Sequence, residues 1–392
     1  MFGANVETNP PPRHPIASLS GSARHRLAYF PRVDVNPYQQ ILYRDLKDVG
    51  IDVVEGARFK VHWLWRHRRD TDILHFHWPQ AFYRVRRRPR SITKHLSFLK
   101  FSYCMLRLAV ARSLGYRLVW TIHQVYPHEI LHRVFDRVVP LVLSRTCHVL
   151  IAHDEETAAL ARRHLRLAPE SVHVAPHPSY AGAYAVQRPR PIARAELGLG
   201  ETSTVFLCFG GLRVYKNTDV LLDAFAALAA EDVVLIIAGL PHAGLPHDMK
   251  VAQRLRAAAA ADPRIRARLE LIPPADVPDL FAAADVAVLP RGDGGTSGSL
   301  ILALDMGVPV IAAKLPANEA ITRGEAAGWL FAPPDYVSLR DCLAAATDRK
   351  ALEQKQAGVQ RLRSSLGWDR RERLRTALVI RGDRSPARES RR

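Results

Sequence analysis

The stretch Phe209-Gly-Gly-Leu-Arg-Val-Tyr-Lys-Asn217 lies between an apolar run at 204–209 and an amphipathic run at 218–228. This context predicts a strand, a tight glycine turn and then a helix. Gly210 and Gly211 lack Cβ atoms, so the backbone of the turn can approach a ligand closely.

The same turn carries two cations at the predicted start of the helix. Asn217 or Thr218 can cap that helix, and a helix N-terminus favours an anion. Arg213 and Lys216 add two positive charges beside it. A diphosphate fits this arrangement, whereas the alternative interpretation is a βα turn with two solvated cations.

A second glycine-rich turn, Arg291-Gly-Asp-Gly-Gly-Thr-Ser-Gly-Ser299, follows the apolar run 286–289 and opens another helix-like run. Thr296, Ser297 and Ser299 place hydroxyls at that helix start, where an anion can bind. Two such turns after strands favour nucleotide binding. Neither turn has the Walker spacing or the three spaced glycines of the dinucleotide fingerprint, which disfavours an ATPase or a dehydrogenase.

Apolar strand-like runs alternate with helix-like runs along the chain. The predicted strands are 26–33, 51–54, 73–78, 117–123, 148–152, 172–175, 205–209, 233–238, 269–272, 286–289 and 308–312. Predicted helices include 92–113, 128–144, 277–284, 299–306 and 368–380. The alternation predicts an α/β protein with two doubly wound, Rossmann-like lobes and a ligand cleft between them.

Composition shifts divide the chain into six parts. These are a disordered tail at 1–24, a first lobe at 25–180, a linker at 181–200, a second lobe at 201–366, a helix at 367–381 that can cross back to the first lobe, and a basic tail at 382–392.

The bulk composition excludes several classes. At 392 residues and 48% hydrophobic content the chain can build two cores, and it contains no apolar run of about 20 residues that would span a bilayer. The N-terminus has no apolar signal segment, and the four cysteines are far apart, so we expect a cytoplasmic protein. No metal site is predicted.

The net charge of +18 is concentrated in the first lobe, with 14 Lys or Arg against 2 Asp or Glu between Arg58 and Arg112. Such a field attracts phosphates on lipids, nucleic acids or substrates. The helix at 92–113 is mostly apolar and follows a basic cluster, so the region 84–112 can dock on an anionic membrane or can be buried in the lobe. No nucleic-acid motif is present, and no nucleic-acid partner is expected.

Histidines stand at the predicted ends of two strands in the first lobe. His75 and His77 share one face of a strand that ends at Trp78, and His123 ends the next strand. A neutral imidazole at a strand end can face a cleft and bind a phosphate or a sugar hydroxyl. Buried structural histidines are the alternative interpretation.

Five pieces of the sequence, in order, resemble a known family. They are NPY (36–38), DILHFHWP (72–79), TIHQVYPHE (121–129), FGGLRVYKN (209–217) and TSGSLILALDMGVPVIA (296–312). Together they resemble bacterial glycosyltransferases of the GT-B fold, particularly the xanthan-type GDP-mannose:glycolipid β-mannosyltransferases. The resemblance covers nearly the whole chain outside its tails.

The resemblance implies that the first lobe binds the acceptor and the second binds the nucleotide sugar. It assigns Arg213 and Lys216 to the donor diphosphate, Thr296, Ser297 and Gly298 to the phosphate or donor sugar, and Ile272, through its backbone, to the base. The other residues predicted to bind the donor are Gly210, Gly211 and Asn217 of the first turn, with Asp293 and Glu319. It places Asn36, Tyr38, His75, His77 and Trp78 on the acceptor side, and His123 opposite the reacting sugar.

One departure from the large retaining family of this fold concerns its Glu-x7-Glu pair. Aligned on 307–310, the two positions fall at Gly294 and Leu302, so both carboxylates are missing. Asp293 can partly replace the first, and Glu319 lies in the following loop. Recognition of the donor must differ here, and retention of configuration is not implied.

The predicted reaction is hexosyl transfer, with mannosyl as one candidate, from a GDP- or UDP-linked sugar to an acceptor hydroxyl, without a cofactor or a metal. The expected acceptor is a lipid-linked or exopolysaccharide intermediate at the inner face of the plasma membrane. The alternatives are a soluble natural product or a cell-wall precursor, and a non-catalytic sugar-nucleotide or nucleic-acid binding protein. The candidate bases for an inverting route are Asp34, His123, Glu129 and Asp154.

Overall fold

The computed structural model describes residues 24–33, 36–85, 90–127, 130–241 and 246–382. Within these ranges the chain forms two parallel sheets of six strands each, flanked by helices. This confirms the predicted α/β class with two Rossmann-like halves.

The first half contains one sheet with strand order β2-β1-β3-β4-β5-β6. Its strands are β1 (His25–Phe30), β2 (Ile51–Val53), β3 (Ile73–Phe76), β4 (Arg117–Ile122), β5 (Val149–Ala152) and β6 (Val172–Val174). Its helices are α1 (Tyr38–Lys47), α2 (Val61–Arg66), α3 (Arg90–Ser113), α4 (Arg133–Thr146) and α5 (Glu155–Leu165).

The second half contains a sheet with strand order β12-β11-β10-β7-β8-β9. Its strands are β7 (Thr204–Phe209), β8 (Val233–Ala238), β9 (Ile265–Arg268), β10 (Val286–Leu289), β11 (Val310–Ala313) and β12 (Gly328–Phe331). The remaining helices are α6 (Arg190–Glu196), α7 (Thr218–Ala226), α8 (Pro246–Ala261), α9 (Val277–Ala283), α10 (Gly298–Asp305), α11 (Pro316–Thr322), α12 (Tyr336–Ala345), α13 (Arg349–Arg363) and α14 (Arg370–Arg381).

The central strands are continuous apolar runs because helices cover both faces of each sheet. All but the last residue of β7 is buried, and so are five of the six residues of β8. Four buried clusters result, one on each face of each sheet.

The order of the strands reverses at one point in each sheet. In the second sheet this point lies between β7 and β10, and in the first it lies between β1 and β3. In doubly wound sheets, ligands bind outside the carboxyl ends of the strands at such a point. The glycine turns at 209–217 and 291–299 follow β7 and β10 directly, so the second switch point lies between the two turns.

Two strands of the second half differ from the sequence-based prediction. The strand predicted at 269–272 is wrong, because β9 lies at Ile265–Arg268. β9 is an edge strand with half-buried arginines, so it lacks the continuous apolar run that marks the central strands. β12 is not predicted from the sequence pattern.

The chain between the two halves, and the chain after the second half, contain further helices. The stretch predicted as a linker includes α6, whose buried Ala193 belongs to a core of the second half. The last helix, α14, lies against the first half: Arg117 Nε donates to the Ile380 carbonyl at 2.7 Å, and the Arg373 guanidinium lies 3.6 Å from Asp45.

Within the described ranges, no helix is long and apolar enough to cross a membrane. The four cysteines are free thiols.

Candidate active site

A cavity of about 480 Å³ is lined by residues of both halves, at the carboxyl ends of their strands. From the first half come residues that follow β1, β3, β4, β5 and β6; from the second half come the turns after β7 and β10. The cavity therefore has two walls of different origin, called here the first-half wall and the second-half wall.

Lys216 supplies one positive charge to the second-half wall. It lines the cavity, and a Cβ atom on Gly210 would lie 3.1 Å from its Nζ and 3.3 Å from Ser299 Oγ. Gly210 has a φ of +118°, which only glycine adopts readily. Burial lowers the pKa of Lys216 to about 8, and the charges of Arg291 and Arg213 act in the same direction.

Arg291 supplies the second positive charge. It stands at the start of the second turn, lines the cavity, and donates to the Gly295 carbonyl. Burial lowers the pKa of its guanidinium, while nearby acidic side chains act in the opposite direction. Sequence reasoning quoted this residue but gave it no role in binding.

Arg213 is not among the residues that line the cavity. Its guanidinium lies 3.2 Å from the carboxylate of the buried Asp248, which also accepts from the Val214 backbone N–H at 2.9 Å. The turn therefore presents Lys216 to the cavity and directs Arg213 to a buried carboxylate behind it.

The helix N-terminus at the cavity is that of α10, because Ser297, Gly298 and Ser299 line the cavity and no side chain caps α10. The start of α7 is not part of the lining. Asn217, predicted as a possible cap, makes no cap hydrogen bond and directs its amide to the Pro290 carbonyl at 3.4 Å.

The other predicted donor-side residues are divided between the cavity and its surroundings. Asp293 lines the cavity, whereas Gly210, Gly211, Ile272 and Glu319 do not. Ile272 is buried in a core of the second half, and the Glu319 carboxylate lies 4.0 Å from Lys314 Nζ.

Asp154 joins the two walls. It caps α5 by accepting from the Thr157 N–H at 2.6 Å, and its other oxygen accepts from the Thr296 N–H and hydroxyl, each at 2.8 Å. Gly295 permits this approach, because a Cβ there would lie 2.5 Å from the Asp154 carboxylate. Burial raises the pKa of Asp154, but these hydrogen bonds outweigh burial and hold the pKa below its usual value.

The Asp154 contacts bear on two predictions. With the Thr157 hydroxyl, which donates to the same carboxylate at 3.0 Å, Asp154 accepts four hydrogen bonds. Such a carboxylate is a weak base, which disfavours Asp154 in that role. Thr296, predicted to bind the donor, has both its hydrogen-bond donors engaged by Asp154. The candidate bases Asp34 and Glu129 lie outside the described residues.

The first-half wall is built around Tyr38, at the start of α1. Tyr38 and Asn36 line the cavity together with Trp78 and His123, whose rings stack at 4.5 Å. His153 and His177 also line this wall, and both contact the Tyr38 ring.

His75 and His77, predicted on the acceptor side, lie behind the wall and do not line the cavity. Both are almost completely buried and are bridged by the Tyr43 hydroxyl, which lies 3.0 Å from His75 Nδ1 and 2.7 Å from His77 Nε2. His75 Nε2 contacts the Thr121 hydroxyl at 2.8 Å, and His77 Nδ1 contacts His123 Nε2 at 3.2 Å.

Burial lowers the pKa of all five imidazoles in and behind this wall. The set is His75, His77, His123, His153 and His177. For His75 and His177 the pKa falls to about 3, with repulsion from His153 as the second cause. These five imidazoles are therefore neutral at pH 7, and they add hydrogen-bonding groups without positive charge to this side of the cavity.

Sequence reasoning missed His153, His177 and Tyr43 in addition to Arg291. His153 directly follows β5 and His177 lies three residues after β6, so the strand-end rule applied to His77 and His123 would have found them. Tyr43 sits inside α1 and carries no comparable signal. Among the described residues, no group of three or more His, Cys, Asp or Glu side chains is arranged to hold a metal ion.

Residues 203–348, most of the second half, match the family described as "Glycosyl transferases group 1". The chain is 27% identical over 307 residues to the GDP-mannose:glycolipid 4-beta-D-mannosyltransferase of Xanthomonas campestris pv. campestris, covering 77% of this chain and 76% of that protein. It is 32% identical over 163 residues to the lipopolysaccharide core biosynthesis mannosyltransferase LpsB of Rhizobium meliloti, covering 40% of this chain and 45% of that protein.

Solved structures share the fold at low sequence identity. Sucrose-phosphate synthase from Thermosynechococcus elongatus superimposes with a TM-score of 0.69 at 15% identity, covering 92% of this chain and 99% of that one. HepE from Anabaena, in complex with UDP-glucose, also gives a TM-score of 0.69, at 14% identity, covering 92% of this chain and 100% of that one.

Proposed function

We propose that this chain, a glycosyltransferase of the GT-B fold, transfers a hexosyl group from a nucleotide diphosphate sugar to a hydroxyl of a lipid-linked glycan. The observation that carries the proposal is the pair of unlike walls around one cavity. Cations and a free helix N-terminus face neutral hydrogen-bonding groups across the space where a sugar would lie.

On the donor side, Lys216, Arg291 and the N-terminus of α10 hold the diphosphate. Negative charge grows on the diphosphate as the bond to the sugar breaks, and fixed cations and N–H groups stabilise that charge. These residues supply positive charge where a divalent ion would otherwise act, and we propose that no metal is required. The donor base is guanine or uracil; the GDP-mannose named for the Xanthomonas relative favours guanine.

On the acceptor side, His123 is the proposed base of an inverting displacement. It lines the cavity, is neutral at pH 7, and has no hydrogen-bond partner at Nδ1 among the described residues. His123 takes the proton of the acceptor hydroxyl as the acceptor oxygen bonds to the sugar and the nucleoside diphosphate leaves. Asn36, Tyr38 and Trp78 form the acceptor side of the cavity.

The acceptor is proposed to be membrane-bound because α3 exposes apolar side chains. Phe98 is 57% exposed, Leu99 62% and Leu106 52%, while the opposite face of α3 is buried. Val134, 68% exposed, continues this surface at the start of α4, which contacts α3 through the stacked rings of Phe101 and Phe135.

Exposed basic side chains lie on the same two helices: Lys100 on α3, and Arg133, Arg137 and Arg145 on α4. Apolar side chains with a basic rim suit the anionic inner face of a membrane. We propose peripheral binding there. The glycolipid named for the Xanthomonas relative supports this acceptor class over a soluble natural product or cell-wall precursor.

The membrane proposal is tested by flotation of the full chain with anionic and neutral vesicles at low salt. Leu99→Ser and Leu106→Ser together should reduce binding to anionic vesicles, because they remove apolar area from the docking surface. Val186→Ser, which changes an exposed apolar residue outside α3, is the matched control. If all variants float equally with anionic vesicles, or if the wild type does not float with them, peripheral binding through α3 is contradicted.

The activity is tested by incubating the purified chain with a panel of GDP- and UDP-sugars, with and without a short-chain lipid-linked glycan. The expected result is nucleoside diphosphate release with one donor, stimulated by the acceptor, together with a glycosylated lipid product. No release from any donor and no product would contradict the proposal. Transfer only to a water-soluble acceptor would contradict the lipid-linked class.

A further inference from the structure

We propose that His177 determines donor specificity by accepting a hydrogen bond, at Nε2, from one hydroxyl of the sugar that is transferred. This contact rests on the proposed function, because it requires a sugar bonded to a diphosphate in the cavity. The substrate class that follows is a nucleotide sugar with a free, uncharged hydroxyl at the contacted position.

The tautomer of His177 is set by one hydrogen bond to the backbone. Nδ1 lies 2.7 Å from the carbonyl oxygen of Pro178, which can only accept, so Nδ1 carries the proton. Burial lowers the pKa of His177 to about 3, so the ring is neutral at pH 7 and carries this proton alone. Nε2 therefore presents a lone pair.

This lone pair belongs to a side chain in the wall of the cavity. His177 is only 8% exposed and lines the cavity, and no described residue forms a hydrogen bond with Nε2. A polar atom in so buried a side chain is stabilised when it gains a hydrogen-bond partner. A ligand group that donates to Nε2 is therefore favoured.

The position of Nε2 identifies which part of the ligand it meets. A Cβ atom on Gly298, the first residue of α10, would lie 3.5 Å from His177 Nε2. The diphosphate is proposed to bind at this helix N-terminus, but a phosphate oxygen has only lone pairs and is repelled by the lone pair of Nε2. The sugar is bonded directly to the diphosphate and carries hydroxyl protons, so a sugar hydroxyl fits this position.

The Tyr180 hydroxyl adds a second acceptor beside Nε2. Asn36 Oδ1 accepts from the Tyr38 backbone N–H at 2.9 Å, which identifies this atom as the amide oxygen. The Tyr180 hydroxyl therefore donates to Asn36 Oδ1, at 3.2 Å, and has no proton left for a ligand. This part of the cavity favours a group that donates, and it disfavours a carboxylate at the same position of the sugar.

Both ends of α10 contact the segment that carries His177. At the N-terminus, a Cβ atom on Gly298 would lie only 2.8 Å from the Tyr180 hydroxyl oxygen, so glycine permits the close approach. At the other end, the buried Asp305 accepts from the Ser179 hydroxyl at 2.8 Å and from the Tyr180 N–H at 2.6 Å. Nε2 is thereby fixed relative to the helix that binds the diphosphate, as a specificity-determining contact requires.

His177→Phe removes the acceptor and keeps an aromatic ring. In the wild type, replacing the contacted sugar hydroxyl by hydrogen should lower kcat/KM about 10²-fold, because Nε2 is then left without a partner. In His177→Phe the same two donors should differ less than about threefold, since the nitrogen that distinguishes them is absent.

The experiment measures kcat/KM with the donor that the panel identifies and with its monodeoxy analogues, each of which lacks one sugar hydroxyl. His177→Gln should retain the discrimination, because its amide oxygen can replace Nε2 as the acceptor. His173→Phe is the matched control: it makes the same change to a half-buried imidazole on β6, outside the cavity lining, and its ratios between donors should match those of the wild type.

Binding is measured in parallel on the full chain, because it does not depend on turnover. ¹⁵N histidine spectra, with His177 assigned from His177→Gln, should show Nε2 unprotonated and its resonance shifted by the sugar nucleotide but not by GDP or UDP alone. GDP or UDP should bind wild type and His177→Phe with equal affinity, because neither contains the sugar.

Two results would overturn the inference: discrimination among the monodeoxy donors that is the same in wild type and in His177→Phe, or an Nε2 resonance that a bound sugar nucleotide leaves unchanged. If transfer proceeds with either result, the proposed function stands and the contact fails. If Nε2 responds to a bound sugar nucleotide but no acceptor receives the sugar, the proposed function fails while the contact is confirmed. If no sugar nucleotide binds, both are overturned.

Discussion

The two walls of the cavity differ in how far apart in the sequence their lining residues lie. The second-half wall comes from two short turns, each of which shows its glycines and cations within nine residues. The first-half wall is assembled from single residues on α1 and after four strands, separated by up to about a hundred and forty positions. The two cationic turns are therefore local motifs of the sequence, whereas Tyr38 and the imidazoles of the first-half wall come together only in the fold.

The largest expected effect tests the charged wall. Lys216→Ala and Arg291→Ala should each lower kcat by about 10²-fold or more, because each removes a group that stabilises the leaving diphosphate. Steady-state kinetics with the donor identified in the panel measures this loss.

Arg213→Ala is the matched comparison, since it removes a cation from the same turn that does not line the cavity. We expect it to reduce thermal stability, because Asp248 loses an ionic partner, and to lower kcat less than tenfold. If Arg213→Ala lowers kcat as much as Lys216→Ala does, Arg213 binds the donor diphosphate, as the sequence predicts.

Sequence patterns predict most of the fold and about half of the charged wall. The strands β7, β8 and β10 are predicted within one residue because they are central, apolar and buried on both faces. β9 is misplaced because an edge strand lacks that pattern. Arg213 and Lys216 are equivalent in sequence, three positions apart, and only the fold shows that Lys216 reaches the cavity while Arg213 turns to Asp248.

The pH dependence of the free energy of unfolding tests the first-half wall. The five imidazoles, of which His123 is half-buried and the other four are buried, have pKa values below the usual 6.5, so the unfolded chain takes up protons first as the pH falls. The free energy of unfolding should be highest above pH 6.5 and should fall as the pH drops toward about 3, by up to about 1.4 kcal/mol per pH unit for each imidazole.

Urea denaturation between pH 8 and pH 5 measures this dependence. His177→Gln should flatten the slope, since it removes one buried imidazole from the cavity wall. A stability that is constant over this range would show that the imidazoles are solvated or already charged, contrary to the described wall.

The smallest expected effect concerns the contact between the walls. Asp154→Asn keeps one oxygen, so it retains either the cap of α5 or the acceptor for the Thr296 N–H and should lower thermal stability. Because His123 and not Asp154 is the proposed base, kcat should change less than tenfold. Loss of a general base typically costs 10²- to 10⁴-fold. A loss of that size, with the fold intact by circular dichroism, would make Asp154 the base and would remove His123 from that role.

The central claim is that Lys216, Arg291 and the N-terminus of α10 hold the donor diphosphate. A crystal structure of the chain with GDP or UDP tests it directly. The account predicts phosphate oxygens within hydrogen-bond distance of Lys216 Nζ, the Arg291 guanidinium and the backbone N–H of Ser299. A diphosphate bound away from these groups, or held by Arg213 with Lys216 and Arg291 unengaged, would contradict it.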